Sequence, residues 1–151
     1  MLRRDMFRGL IAGTGTLFGL GRARAAAPQG MAQKDEARQK VAYHLADVEK
    51  VGFVLGNIRN HYDGTGGNVD IVLVVHGPAL AAFRANGSSA AVAGRFSGLV
   101  RDGLSPLACT NTMRGMDIAL TDLFDGFAGA DEGGVVRLAR LQAEGYAYLR
   151  P

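Results

Sequence analysis

The sequence predicts a single α/β domain built on a mostly parallel five-stranded sheet. Three observations carry that expectation. The run "VDIVLVVHG" (69–77) is almost unbroken in β-branched and apolar residues, as in a strand buried on both faces of a parallel sheet. Strand-like runs alternate with segments whose apolar residues recur at helical spacing. Glycine-rich breaks such as "GTGG" (64–67) and Gly103 mark the junctions.

The N-terminus reads as an export signal and not as part of the fold. Arg3 and Arg4 form a positive start, "GLIAGTGTLFGLG" (9–21) is a short apolar stretch, and "RARAAAP" offers small-residue cleavage sites after Ala25 or Ala27. The apolar stretch is shorter than the roughly 20 residues that span a bilayer. The paired arginines with a mildly apolar core resemble a twin-arginine signal, which predicts a periplasmic protein with no membrane contact after cleavage. Residues 26–39, "APQGMAQKDEARQK", read as a polar arm, and 40–151 as the folded domain.

The elements follow in order. "KVAYHLAD" (40–47) is a first strand. Residues 47–63 are a helix, with Asp47 at its N-cap and Val51, Val54, Leu55, Ile58 and Tyr62 on one face; Gly52 and Gly56 permit close approach on another. After the strand at 69–77, "PALAAFRA" starts a short helix with Pro78 in its first turn. Residues 88–103 form a helix capped by Ser89, with Val92, Phe96, Leu99 and Val100 inward. "LSPLAC" (104–109) is a strand with Pro106 near its start. "TMRGMDIALTDLF" (112–124) is helical or turn, and "DGFAGAD" (125–131) a weak strand. "EGGVVRLARLQAEG" (132–145) is a helix with Val135, Val136, Leu138 and Leu141 inward, and "YAYLRP" a fifth strand. The succession is that of a flavodoxin-like sandwich.

Charge excludes one class of partner. The whole chain carries +3, but five arginines and one acid lie in residues 1–25, leaving 12 basic and 13 acidic residues beyond them. The excess belongs to the signal, so no nucleic-acid partner is expected.

Ligands of open parallel sheets sit beyond the carboxyl ends of the strands. Those ends carry His44 and Asp47, then His76, then Cys109, Thr110 and Asn111. Cys109 is the only cysteine, so no disulfide forms within the chain. An accessible lone thiol in an oxidising compartment is either used or hidden. A thiolate is favoured by backbone N–H groups and cations: those of Asn111 to Arg114 follow Cys109, and the Arg114 side chain adds positive charge. Cys109, His76 and Arg114 are therefore the candidate catalytic residues, and Asn111, Thr110, His44 and Asp47 candidate ligand-binding residues. His61 reads as solvated, and Met113 and Met116 as core or interface. A copper site of Cys109, His76 and Met113 matches no ligand spacing, so no metal and no cofactor is expected. "DGTGGN" follows a helix, which fails the context of a phosphate loop, and no GxSxG, CxxC or HExxH is present.

The segments "VVHGPAL", "ACTNTMRG" and above all "VVRLARLQAEGYAYLRP" resemble the DsrE/DsrF-like family, over roughly residues 40 to 151. The resemblance implies a small α/β fold and homo-oligomers, often trimers or hexamers. In members with an active cysteine it implies a sulfur carrier or sulfurtransferase with a sulfur donor and acceptor. It places the strand-end cysteine at Cys109 and assigns nothing to His76 or Arg114. Where relatives carry a firm fourth strand and a "PSG"-like turn, this chain reads "GFAGADEGG". The reading is a periplasmic sulfur-handling protein with a persulfide on Cys109. Its rivals are a non-catalytic oligomeric binding module with Cys109 buried, and a metal or redox sensor using the same thiol.

Overall fold

The computed structural model describes residues 38–151, which form one α/β domain. The expected signal at 1–25, the expected cleavage sites and nearly all of the expected arm at 26–39 lie outside the described residues. Five strands, β1 (Gln39–Leu45), β2 (Val69–Val75), β3 (Ser105–Cys109), β4 (Ala128–Ala130) and β5 (Ala147–Leu149), make one sheet in the order β4-β3-β2-β1-β5. Every neighbouring pair is parallel, so the sheet is all-parallel where the sequence predicts mostly parallel. Among the described residues four α-helices accompany it: α1 (Val51–Gly64), α2 (Ala90–Arg101), α3 (Thr110–Gly115) and α4 (Gly134–Ala143).

The strand order fixes which face each helix covers. From β1 to β4 the chain steps across the sheet in one direction, and right-handed crossovers put α1 and α2 on one face. The return from β4 to β5 reverses the direction and puts α4 on the other. Alternate residues of the central strands serve the two faces. Tyr43, Leu45, Ile71, Leu73 and Val75 pack with Val54, Leu55 and Ile58 of α1 and with Phe96 and Leu99 of α2. Ala42, Val72 and Val74 pack with Leu138 and Leu141 of α4. In register with Ala42, Val72 and Val74, His44, Cys109 and Tyr148 also project to the α4 face.

Several sequence expectations are corrected. The first strand stops at Leu45, and a 3-10 turn (Val48–Lys50) precedes α1. Asp47 stands at the cap of that turn without a side-chain capping bond; its carboxylate pairs with Arg150 at 3.4 Å. "PALAAFRA" lies largely in a 3-10 helix (Gly77–Phe83) and not an α-helix. The helix expected within 112–124 starts earlier, at Thr110, directly after the cysteine. Pro106 is the second residue of β3, and β4 pairs with β3 only from Leu107 onward, so its missing N–H costs no ladder bond on that side. Val135 and Val136 were expected inward but are 70% and 46% exposed. Leu138 and Leu141 face inward as expected, and Gly134, packed against the sheet, takes the place in that line expected of the valines.

Candidate functional site

The carboxyl ends of β1, β2 and β3 bring His44, His76 and Cys109 to one rim. His76 follows Val75, which is in register with Ala108, so His76 and Cys109 are neighbours across β2 and β3. The start of α4 lies over both. A Cβ on Gly134 would stand 3.2 Å from Cys109 Cβ and 3.4 Å from His76 Cβ. A Cβ there would force its neighbours to give by a few tenths of an ångström, and the close approach that glycine allows delivers a donor: Gly134 N–H points to Cys109 Sγ at 3.1 Å. The preceding Gly133 has φ +92°, and a Cβ on it would meet Asn111 Nδ2 at 2.6 Å. The "EGG" turn (132–134) is thus part of the site.

Cys109 is 6% exposed, among the buried residues of the domain. Burial pushes its thiol up. Hydrogen bonds from Gly134 N–H, Thr112 N–H, the Thr112 hydroxyl and Asn111 N–H pull the other way and win, so the thiol lies below its ordinary value. Thr112 has a second duty: its Oγ1 accepts from Gly77 N–H at 3.0 Å, tying the β2 rim to the β3 rim. Sequence reasoning missed Thr112, Gly133 and Gly134. The "TNT" and "EGG" spellings carried the only signal, and nothing in them tells which hydroxyl or glycine meets the sulfur.

The two rim histidines touch directly. His44 Nε2 and His76 Nε2 are hydrogen-bonded, with ring centroids 4.6 Å apart and planes 18° from parallel. A face-to-face stack cannot bring two nitrogens so close, so the rings meet tip to tip. His44 Nδ1 is hydrogen-bonded to Tyr148 Oη of β5 at 2.6 Å. Burial, then the charge of His76 and of Arg150, hold His44 down at about 4 against the weaker pull of Asp47. Burial and Arg150 lower His76 as well. Both rings are neutral at neutral pH.

The remaining candidates are placed differently. Thr110 Oγ1 donates to Ala130 O at 3.0 Å and Asp131 O at 3.3 Å, which ties the start of α3 to the end of β4. The side chain of Asn111 accepts from Arg114, while its backbone N–H serves the thiol. The Arg114 guanidinium is exposed and engaged with Asn111, and the stabilisation of the thiol comes from neutral donors instead. His61, expected solvated, is hydrogen-bonded to Tyr43 Oη at 3.0 Å and Gln39 Oε1 at 3.2 Å. Met113 packs against the core and Met116 is exposed. A hollow of about 480 Å³ is lined by Tyr43, Asn57, Asn60, His61, Leu149, Arg150 and Pro151. A second, of about 300 Å³, lies beside α3 and includes Thr110 and Arg114. Cys109 lines neither. Among the described residues no group of three or more His, Cys, Asp or Glu side chains is arranged to hold a metal ion.

The all-parallel five-stranded sheet with helices on both faces is a DsrE-like fold, as its solved structural neighbours show. A solved structure of a protein of unknown function, MTH1491 from Methanobacterium thermoautotrophicum, is similar at 30% identity and a TM-score of 0.68, over 75% of this chain and 99% of that one. The chain belongs to the family of that protein. The crystal structure of the ychN protein from E. coli shares the fold at 16% identity and a TM-score of 0.57, over 75% of this chain and 99% of that one. No protein-family model and no curated protein matches the sequence.

Proposed function

We propose that this is an exported, periplasmic sulfur-handling protein in which Cys109 accepts sulfane sulfur as a persulfide and passes it on. One observation carries the reading: a buried thiol met by N–H and O–H donors that favour its anion over the cost of burial. The thiolate attacks the outer sulfur of a polysulfide or thiosulfate. A bond forms between Cys109 Sγ and that sulfur, the donor's own S–S bond breaks, and its electron pair leaves with the shortened polysulfide or sulfite. The negative charge then rests on the outer sulfur of the persulfide, ready for transfer to an acceptor thiol.

The test is intact mass spectrometry of the protein after polysulfide or thiosulfate treatment, beside Cys109→Ser. The expected result is a reducible gain of about 32 Da, one sulfur, in the wild type alone. No adduct on the folded protein sinks the proposal.

The second reading, a non-catalytic oligomeric binding module, is favoured by the 6% exposure of Cys109. It predicts that thiol reagents label Cys109 only after unfolding. Homo-oligomerisation as a trimer or hexamer belongs to both readings. The exposed Val135, Val136, Tyr148 and Leu149 support it.

A further inference from the structure

The hydrogen-bonded row Tyr148–His44–His76 crosses three strands, and its last member shares the neighbourhood of Gly134 with Cys109, Cβ to Cβ. Its proton arrangement can be deduced. Two neutral imidazoles in contact through their Nε2 atoms need one N–H and one lone pair. The partner of His44 Nδ1 decides which ring supplies the N–H. A phenol hydroxyl donates strongly to an imidazole nitrogen, whereas an imidazole N–H donating to phenol oxygen is a weak bond. At 2.6 Å the strong arrangement fits: Tyr148 O–H donates to His44 Nδ1. His44 then carries its proton on Nε2 and donates to His76 Nε2. The remaining proton of His76 sits on Nδ1, the less favoured tautomer of a free histidine.

We propose that Tyr148 and His44 are positioning residues that fix His76 as its Nδ1–H tautomer, making it a neutral donor to the outer sulfur of a Cys109 persulfide. This rests on the sulfur-transfer reading and adds a role that reading lacks. The donors from Gly134, Thr112 and Asn111 serve Sγ itself. On persulfide formation the charge moves outward by about 2 Å, one S–S bond, beyond those donors. Of the row's members, His76 is the one whose Cβ lies with that of Cys109 against Gly134 at the start of α4. The charged groups facing the row are Arg150 and Asp47, which pair with each other. Neither takes a place in the hydrogen-bonded row.

Tyr148 is 40% exposed on an edge strand, so Tyr148→Phe keeps the ring and the fold while removing the hydroxyl. Heteronuclear NMR of the histidine ring nitrogens in the full chain reads the tautomers directly. The expected pattern is His44 protonated on Nε2 and His76 on Nδ1, with His76 shifting toward Nε2–H in Tyr148→Phe. At a fixed polysulfide concentration the variant's persulfide yield should fall several-fold. The pH midpoint for alkylation of its free thiol by iodoacetamide should not move, because the Sγ donors are intact. His76 protonated on Nε2 in the wild type, or ring signals unchanged in Tyr148→Phe, overturns the tautomer assignment. An unchanged persulfide yield overturns the donor role. The expected tautomers in a wild-type protein that takes up no sulfur support the row and overturn sulfur transfer.

Discussion

At the scale of single residues, the site is held by groups that meet only through the fold. Thr112 donates to the sulfur of Cys109 and accepts from Gly77 N–H. Thr112→Val removes both bonds and keeps the shape. The midpoint of Cys109 alkylation against pH should rise, and the orphaned Gly77 N–H should cost about 1–3 kcal/mol of stability. His44 gives a prediction of definite sign. Its folded value, about 4, lies below the ordinary 6.5, so below pH 6.5 the unfolded chain binds the extra proton first. The stabilisation is fully present above pH 6.5 and is lost progressively as the pH falls through 4. Denaturant melts between pH 7 and 4 should show this fall, and His44→Gln should flatten it. A slope unchanged in the variant would assign the acid sensitivity to other groups.

At the scale of elements, α4 is the piece whose placement matters most. Gly134 lies against Cys109, His76 and Val74 at distances too short for a side chain to enter without a shift. Gly134→Ala should push the helix start off the rim, cost about 1–3 kcal/mol, and raise the Cys109 midpoint by lengthening the N–H···S bond. Melting and alkylation measured together check it; a loss of stability with no change in the thiol would separate packing from electrostatics. The order of strands and helices was legible in the sequence because β2 is apolar throughout and the breaks are glycine-rich. The strand-end position of Cys109 and the rim position of His76 were legible for the same reason. The inward face of α4 was legible at Leu138 and Leu141 but not at its start: Val135 and Val136 look like core, and Gly134, packed against β2 and β3, takes their place. Gly134 and Tyr148 were missed because their site partners lie 25 and 104 residues away in the chain, and the tie of Thr112 to Gly77 because it spans 35. Periodicity carries no information on such pairs.

At the scale of the whole molecule, one sheet supports two cores. The larger joins α1 and α2 to one face and the smaller joins α4 to the other, with β1 and β2 feeding both. The two cores therefore cannot melt separately. Phe83→Ala on one side and Leu141→Ala on the other, both fully buried, should each cost about 2–5 kcal/mol. Both should lower the midpoint of a single transition followed by circular dichroism. Two resolved transitions would show that the faces are independent.

The reversal in strand order also has a consequence for how the molecule assembles. β1 through β4 add in sequence, each strand beside its predecessor. The pairing of β1 with β5, which brings Tyr148 to His44, spans 104 residues. Such a distant contact repays its loop-closure entropy only late in folding. The β5 edge should be the slowest part of the sheet to close, and the rim histidines would stay hydrated until it does. Folding kinetics and maturation of the rim would then share one final step.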